Sequence, residues 1–221
     1  MITVKRLVCN MLQENTYIVS DETREAVIID CGAYYDAERS AIVNYLNDNR
    51  LKPVHLLCTH GHFDHNFGND TIWHTFGLKP EVAAEDEGMM ELKTMFRDMT
   101  GVDYQGDIPP VGRLLTAGEC ISFGTHQLKV LSTPGHSRGS VTFYCEAEHT
   151  AFTGDTLFRL SIGRTDFEGG SWGDMSHSLK RVLQYFLPTR RCIPVTENPR
   201  PSATKCSTIP TCVNRRDCLS R

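Results

Sequence analysis

The chain opens on three short β-like runs, ITVKRLVC (2–9), NTYIVS (15–20) and EAVIID (25–30). Apolar Ala41, Ile42, Tyr45 and Leu46 then recur at helical spacing and predict a helix over 37–49. PVHLLCT (53–59) reads as a buried strand, and 65–76 as a helix capped by Asp64. PEVAA (80–84) is strand-like and 85–99 helix-like, whereas 101–112, rich in Gly, Pro and Asp, has no period and reads as loop. A second strand series follows in ECISFG (119–124), HQLKVLST (126–133), SVTFYC (140–145) and HTAFTG (149–154). A last helix is expected over 174–187, with Met175, Leu179, Val182, Leu183 and Phe186 on one face. The order of elements suits an α/β fold of two packed β layers with helices outside.

Length and charge narrow the class. The 221 residues fit one large domain, or one with an appendage, and a net charge of −4 argues against a general nucleic-acid or membrane binder. There is neither an apolar stretch of membrane-spanning length nor a signal-peptide-like start, so a cytoplasmic protein is expected. Nine cysteines without a C-x-x-C pair give no support to thiolate zinc or thioredoxin-type chemistry. Cys9, Cys31, Cys58, Cys120 and Cys145 lie in or beside β-like runs and are expected as small buried hydrophobes. From Thr189 the character changes. Residues 189–221 carry seven Lys or Arg against two acids, where 1–188 carry 16 against 25. We divide the chain there, into a domain over 1–188 and a basic, Cys- and Pro-rich, irregular tail.

The chemistry starts at THGHFDHNFGN, residues 59–69. His60 and His62 can share a cation, and Asp64 and His65 follow within the same turn. Zinc and iron accept such mixed nitrogen and oxygen donors. Four donors in six residues at the end of a buried strand favour a metal site over solvated side chains. His136 in TPGHSRGS and Asp155 in FTGDTLF each follow a later strand. Each alone could be an ordinary loop or turn residue; together the three strand-end loops can converge on one point.

T-H-x-H-x-D-H, P-G-H-S-x-G-S and T-G-D-T-L-F together resemble the metallo-β-lactamase superfamily, and within it the glyoxalase II (hydroxyacylglutathione hydrolase) branch. SIGRTDFEGGS (161–171) is similar to that branch and to persulfide dioxygenases. The resemblance covers residues 1 to about 188 and implies a four-layer αββα sandwich. It also implies a centre for two metals, zinc in the first place, with Fe²⁺ or Mn²⁺ as substitutes. His60, His62 and His136 match the ligands of one metal, Asp64 and His65 those of the other, and Asp155 the bridging carboxylate. The lactamases proper mostly have cysteine at that last place, and an export signal. The implied reaction is attack of metal-bound hydroxide on a thioester carbonyl, with Asp64 also orienting the nucleophile. Asp30, in IIDCG, is either a partner that fixes a ligand imidazole or an ordinary turn carboxylate. Arg164 and Asp166 are expected to pair and shape their loop. His55, His74, His126, His149 and His177 are assigned to packing or surface.

The implied partner is a small-molecule thioester, glutathione-derived in the family; no cofactor besides metal, no nucleic acid and no membrane is expected. The longer glyoxalase II enzymes bind glutathione partly through a C-terminal helical domain; this chain is expected to be of the short type without one, whose substrate can be a different thioester. A single-Fe(II) persulfide dioxygenase using His60, His136 and Asp155 is the competing enzyme reading.

The family places one more histidine after the final helix, in a P-G-H-G turn, and residues 189–221 contain none. Yet with permitted codons, reading 192–213 one base out of register spells YPGHGEPTTIGYEMLHNPYLCE, and the next triplet can be a stop. That string resembles the ending of short glyoxalase II-like proteins. We read the tail as the product of a frameshift near Pro188. The second metal position is then expected to be impaired, and a metal-binding but inactive product is the non-enzyme alternative.

Overall fold

The computed structural model describes residues 1–186 and 212–214. Six strands build the first sheet in chain order: β1 (Thr3–Cys9), β2 (Glu14–Ser20), β3 (Glu25–Ile29), β4 (Lys52–Leu57), β5 (Pro80–Ala83) and β6 (Arg113–Leu115). The first three pair antiparallel, and β3 to β6 run parallel. The second sheet, all antiparallel, has the order β11-β10-β9-β8-β7. Its strands are β7 (Cys120–Phe123), β8 (His126–Ser132), β9 (Val141–Cys145), β10 (Thr150–Phe152) and β11 (Cys212–Asn214).

Strand alternation explains the layers. Tyr17, Val19, Val27 and Ile29 point to one side of the first sheet and meet Leu128, Val130, Phe143 and Phe152 of the second. The intervening Ile18, Ala26 and Ile28 point the other way, onto Ile42 and Leu46 of α1 (Asp36–Asp48) and Ile72 of α2 (Asn69–Phe76). Leu131, Tyr144 and Ala151 likewise turn outward to Val182 of α4 (Trp172–Phe186). Because both faces are covered, EAVII and VTFYC are nearly continuous apolar runs. The result is the αββα sandwich. No helix among the described residues is long and apolar enough to cross a membrane.

Four elements differ from the sequence reading. The helix expected over 65–76 starts only at Asn69, after a 3₁₀ turn over Phe63–His65; Gly68, not Asp64, is its N-cap. The chain passes too close to its neighbours there to be helical earlier: Gly68 N–H donates to the Cys31 carbonyl, and a Cβ on Gly68 would meet Cys31 Sγ at 2.7 Å. The helix expected over 85–99 is split into a 3₁₀ segment, Ala84–Met90, and α3, Leu92–Thr100. Glu91 interrupts it with a non-helical ψ of 71°. β6 is three residues long and carries too short a pattern to be recognised. Within the tail, Cys212–Asn214 pair with β10 although no strand period marks them; the rest of 189–221 lies outside the described residues. Cys9, Cys31, Cys58 and Cys145 are buried free thiols, whereas Cys120 falls on the outward face of β7 and is exposed.

Candidate metal centre

The centre lies where four strands end. β3 and β4 are parallel, so Asp30 and the Thr59–His65 turn leave the first sheet at the same edge. β8 and β10 both pair antiparallel with β9 and therefore point the same way, delivering His136 and Asp155 to one edge of the second sheet. Val141 N–H donates to the Thr59 carbonyl at 2.8 Å and ties the two edges together. Gly154, at φ +48°, lets the Asp155 loop lie against Thr59, whose Oγ1 would sit 2.2 Å from any Cβ there.

One donor atom from each of His60, His62 and His136 lies within 4.8 Å of the others, and the same holds for His60, His65 and Asp155. His62 Nδ1 is 2.8 Å from His136 Nε2, which is itself 3.4 Å from Asp155 Oδ2. His65 Nε2 is 3.3 Å from Asp155 Oδ1 and 3.8 Å from Asp64 Oδ2. The residues singled out in the sequence are thus brought together, with Asp64 beside His65 rather than in either group of three. His60 belongs to both groups, and its Nε2 is buried without a hydrogen-bond partner.

Tautomers are fixed from behind. His136 Nδ1–H donates to the Arg164 carbonyl at 2.8 Å, leaving Nε2 to face the centre. Asp30 does this twice. Its Oδ2 accepts from His65 Nδ1 at 3.0 Å and from Thr59 Oγ1 at 2.7 Å, and Thr59 Oγ1 in turn accepts from His60 Nδ1 at 3.0 Å. Asp30 Oδ1 takes the Thr59 backbone N–H at 2.7 Å. Asp30 is itself held at φ +53°, which Asp tolerates better than most residues. The Asp30→Asn variant must turn an N–H₂ towards one of these donors. Its expected result is a metal affinity about 10–100-fold weaker, read by chelator competition.

Burial, with His65, His62 and His136 nearby, pushes the His60 imidazole well below its usual range. Burial beside His136 and His65 takes His62 down to about 3. Both rings are neutral and offer lone pairs. His65 goes the other way: burial lowers it, but Asp64, Asp30 and Asp155 outweigh burial and hold it well above the ordinary value. Burial would raise Asp155, yet His65 and His136 bring it down to about 2. Asp64 is raised because burial outweighs His65.

Arg164 and Asp166 form a two-pronged pair at 2.6 and 2.8 Å, with the Arg164 guanidinium 3.9 Å above the Phe167 ring. Phe167 meets His62 and His136 edge-on. The pair lies beside this wall, while the contribution of the Arg164 carbonyl was invisible to a reading of side chains. Sequence also passed over Asn66, which donates to the His60 and His62 carbonyls. It missed Asn10 as well, which donates to the carbonyls of Gly32 and Asp64 at 2.8 Å each. An Asn just outside a ligand motif was the one available signal. The other histidines lie outside the centre: His55 pairs with Glu81, His74 with Asp107, and His126 with Asp21 at the far end of β2. His149 Nδ1 is 3.4 Å from Tyr144 Oη, and His177 Nδ1 donates to the Gly173 carbonyl.

The family model of the metallo-beta-lactamase superfamily matches residues 10–187. An uncharacterized protein of Mycobacterium leprae is 35% identical over 182 residues, 78% of this chain and 81% of its own length. Glyoxylase B2 of Dictyostelium discoideum is 29% identical over 182 residues, 76% of this chain and 60% of that protein. A probable metallo-hydrolase of Bacillus subtilis is 28% identical over 182 residues, covering 81% and 82%. Two solved structures are similar. The BLEG-1 B3 metallo-beta-lactamase has TM-score 0.73 at 33% identity, covering 80% of this chain and 84% of that one. A protein in a di-iron-bound form, TTHA1623, has TM-score 0.71 at 32% identity, covering 82% and 86%.

Proposed function

Because the chain belongs to the metallo-β-lactamase superfamily, with His/Asp clusters suited to a divalent metal, we propose that it is a zinc-dependent thioester hydrolase of the hydroxyacylglutathione hydrolase kind. One observation carries the metal reading. His60 Nε2 is buried and unpartnered, an arrangement that costs about 1–3 kcal/mol unless a ligand satisfies it. His60, His62 and His136 would hold one metal, and His65, Asp64 and Asp155 would serve the second position, with Asp155 facing both. The similarity to glyoxylase B2 supports the thioester, and so does a carboxylate, not a thiolate, at position 155.

A divalent metal bound here supplies acidified water and polarisation of a carbonyl. The chain supplies the rest. The Asp64 side chain, 20% exposed and 3.8 Å from His65 Nε2, can accept a proton and orient the attacking oxygen. Asp30 and the Arg164 carbonyl hold His65 and His136 in the required tautomer. Phe167 packs edge-on against His62 and His136 and forms one side of the site.

The test is turnover by the zinc-loaded chain and by its frame-restored form. Three substrates are offered: S-lactoylglutathione, glutathione persulfide with oxygen monitored, and a β-lactam. Hydrolysis of the thioester is expected. Oxygen uptake, or β-lactam cleavage, without thioester turnover would overturn the assignment.

A further inference from the structure

Asp86 lies in the 3₁₀ segment Ala84–Met90, inside the acidic run Glu85-Asp86-Glu87. Its two neighbours are exposed, but Asp86 is fully buried. A carboxylate taken out of water needs compensating donors, and here they come from two separate loops. Asp86 Oδ2 accepts from the Gly61 backbone N–H at 3.1 Å and from Ser137 Oγ at 2.6 Å. Asp86 Oδ1 accepts from the Gly139 backbone N–H at 2.7 Å. Gly61 stands between His60 and His62, and Ser137 follows His136. One carboxylate thereby joins the turn carrying two of the imidazoles to the loop carrying the third.

The contact is close enough to dictate its partners. A Cβ on Gly61 would meet the Asp86 carbonyl oxygen at 2.7 Å, and one on Gly139 would meet Asp86 Cγ at 2.6 Å. The loops can approach this near only because both positions are glycine. Ser137 is held further by Ser140, whose Oγ lies 2.6 Å from Ser137 Oγ and accepts the Ser137 N–H at 3.1 Å. Slack in any of these links passes directly to the ring positions of His60, His62 or His136.

We propose that Asp86 is a positioning residue that sets the separation of the His60–His62 turn from the His136 loop, and with it the affinity of the three-histidine position for metal. This rests on the reading of those three imidazoles as ligands. Asparagine cannot substitute. With its amide nitrogen at the Oδ1 place it opposes the Gly139 N–H, and at the Oδ2 place it opposes the Gly61 N–H. Either way a buried backbone donor loses its acceptor.

The experiment is titration of the metal-free full chain with Co²⁺ against a competing chelator, with the visible absorption of the bound ion recorded. Parent, Asp86→Asn, Ser137→Ala and the exposed control Glu87→Gln are compared at a temperature where each is folded. Asp86→Asn is expected to weaken Co²⁺ binding about 10–100-fold and to change its visible spectrum, with Glu87→Gln at parental values. Ser137→Ala, which removes one of three donors, is expected to weaken binding by about 3–10-fold. A folded Asp86→Asn chain with parental affinity and spectrum overturns the proposal, however much its melting temperature falls, since that pattern marks a merely structural role. If Asp86→Asn does not fold, Ser137→Ala decides, and parental affinity there overturns it equally. A parent chain that takes up no Co²⁺ refutes the metal reading itself, before any variant is compared.

Discussion

Alanine at His60 is expected to strip the protein of tightly held metal and to lower kcat/KM for its substrate by about 10³-fold or more, equivalent to roughly 4 kcal/mol of transition-state stabilisation. The reason is position. His60 is the residue common to the His60–His62–His136 and His60–His65–Asp155 groups, so its loss affects both. His62→Ala touches one group and should cost less. The metal-free proteins should behave differently. His60 Nε2 is an unpartnered buried atom in a ring that burial and three neighbouring imidazoles keep neutral. Removing it relieves that cost while opening a ring-sized gap, and we expect metal-free His60→Ala to unfold within about 1 kcal/mol of the metal-free parent. Metal content by elemental analysis and thermal melts with and without metal read both effects. A His60→Ala protein that still carries a full equivalent of tight metal would sink the assignment of the centre.

Much of this centre was legible because its donors stand in short motifs directly after strands. THGHFDH follows β4, PGHS follows β8 and TGD follows β10, and a strand run locates its own end within a residue or two. Parallel β3 and β4, and co-directional β8 and β10, then make convergence a matter of topology. What escaped was whatever depends on backbone atoms or on a close approach. The Arg164 carbonyl orients His136 through an atom every residue possesses. Thr59, next to the motif, passes the Asp30 carboxylate on to His60, a role that its hydroxyl alone does not announce. Asp86 sits in an acidic run that reads as solvated surface, and only the packing of two glycines against it reveals the inward member. The late start of α2 has the same origin: the pattern over 65–76 is helical, but His65 is drawn to Asp30 and Asp155, and the chain must pass Cys31 before the helix can begin.

Restoring the reading frame near Pro188 is expected to raise tightly bound metal from about one to about two per chain and to increase thioester turnover by about 100-fold. The second position has donors of its own: His65 Nε2 and Asp155 Oδ1 are 3.3 Å apart, with Asp64 Oδ2 3.8 Å from the same ring nitrogen. Two carboxylates and one imidazole form a set of equal size but less selective for zinc than the three imidazoles opposite, and the tail from 189 to 221 offers no histidine to add. The part of the tail that is described, Cys212–Asn214, pairs as an edge strand with β10. The shifted frame supplies P-G-H-G within a few residues of α4. An imidazole added there would give the second position a fourth donor beside His65, Asp64 and Asp155. The decisive comparison holds three proteins side by side: this chain, the frame-restored chain, and the restored chain with alanine in place of the new histidine. The third should return to the stoichiometry of the first. Equal metal content and turnover in all three would mean that the tail does not limit the site. A coding sequence whose bases cannot spell the shifted triplets would remove the frameshift as the cause.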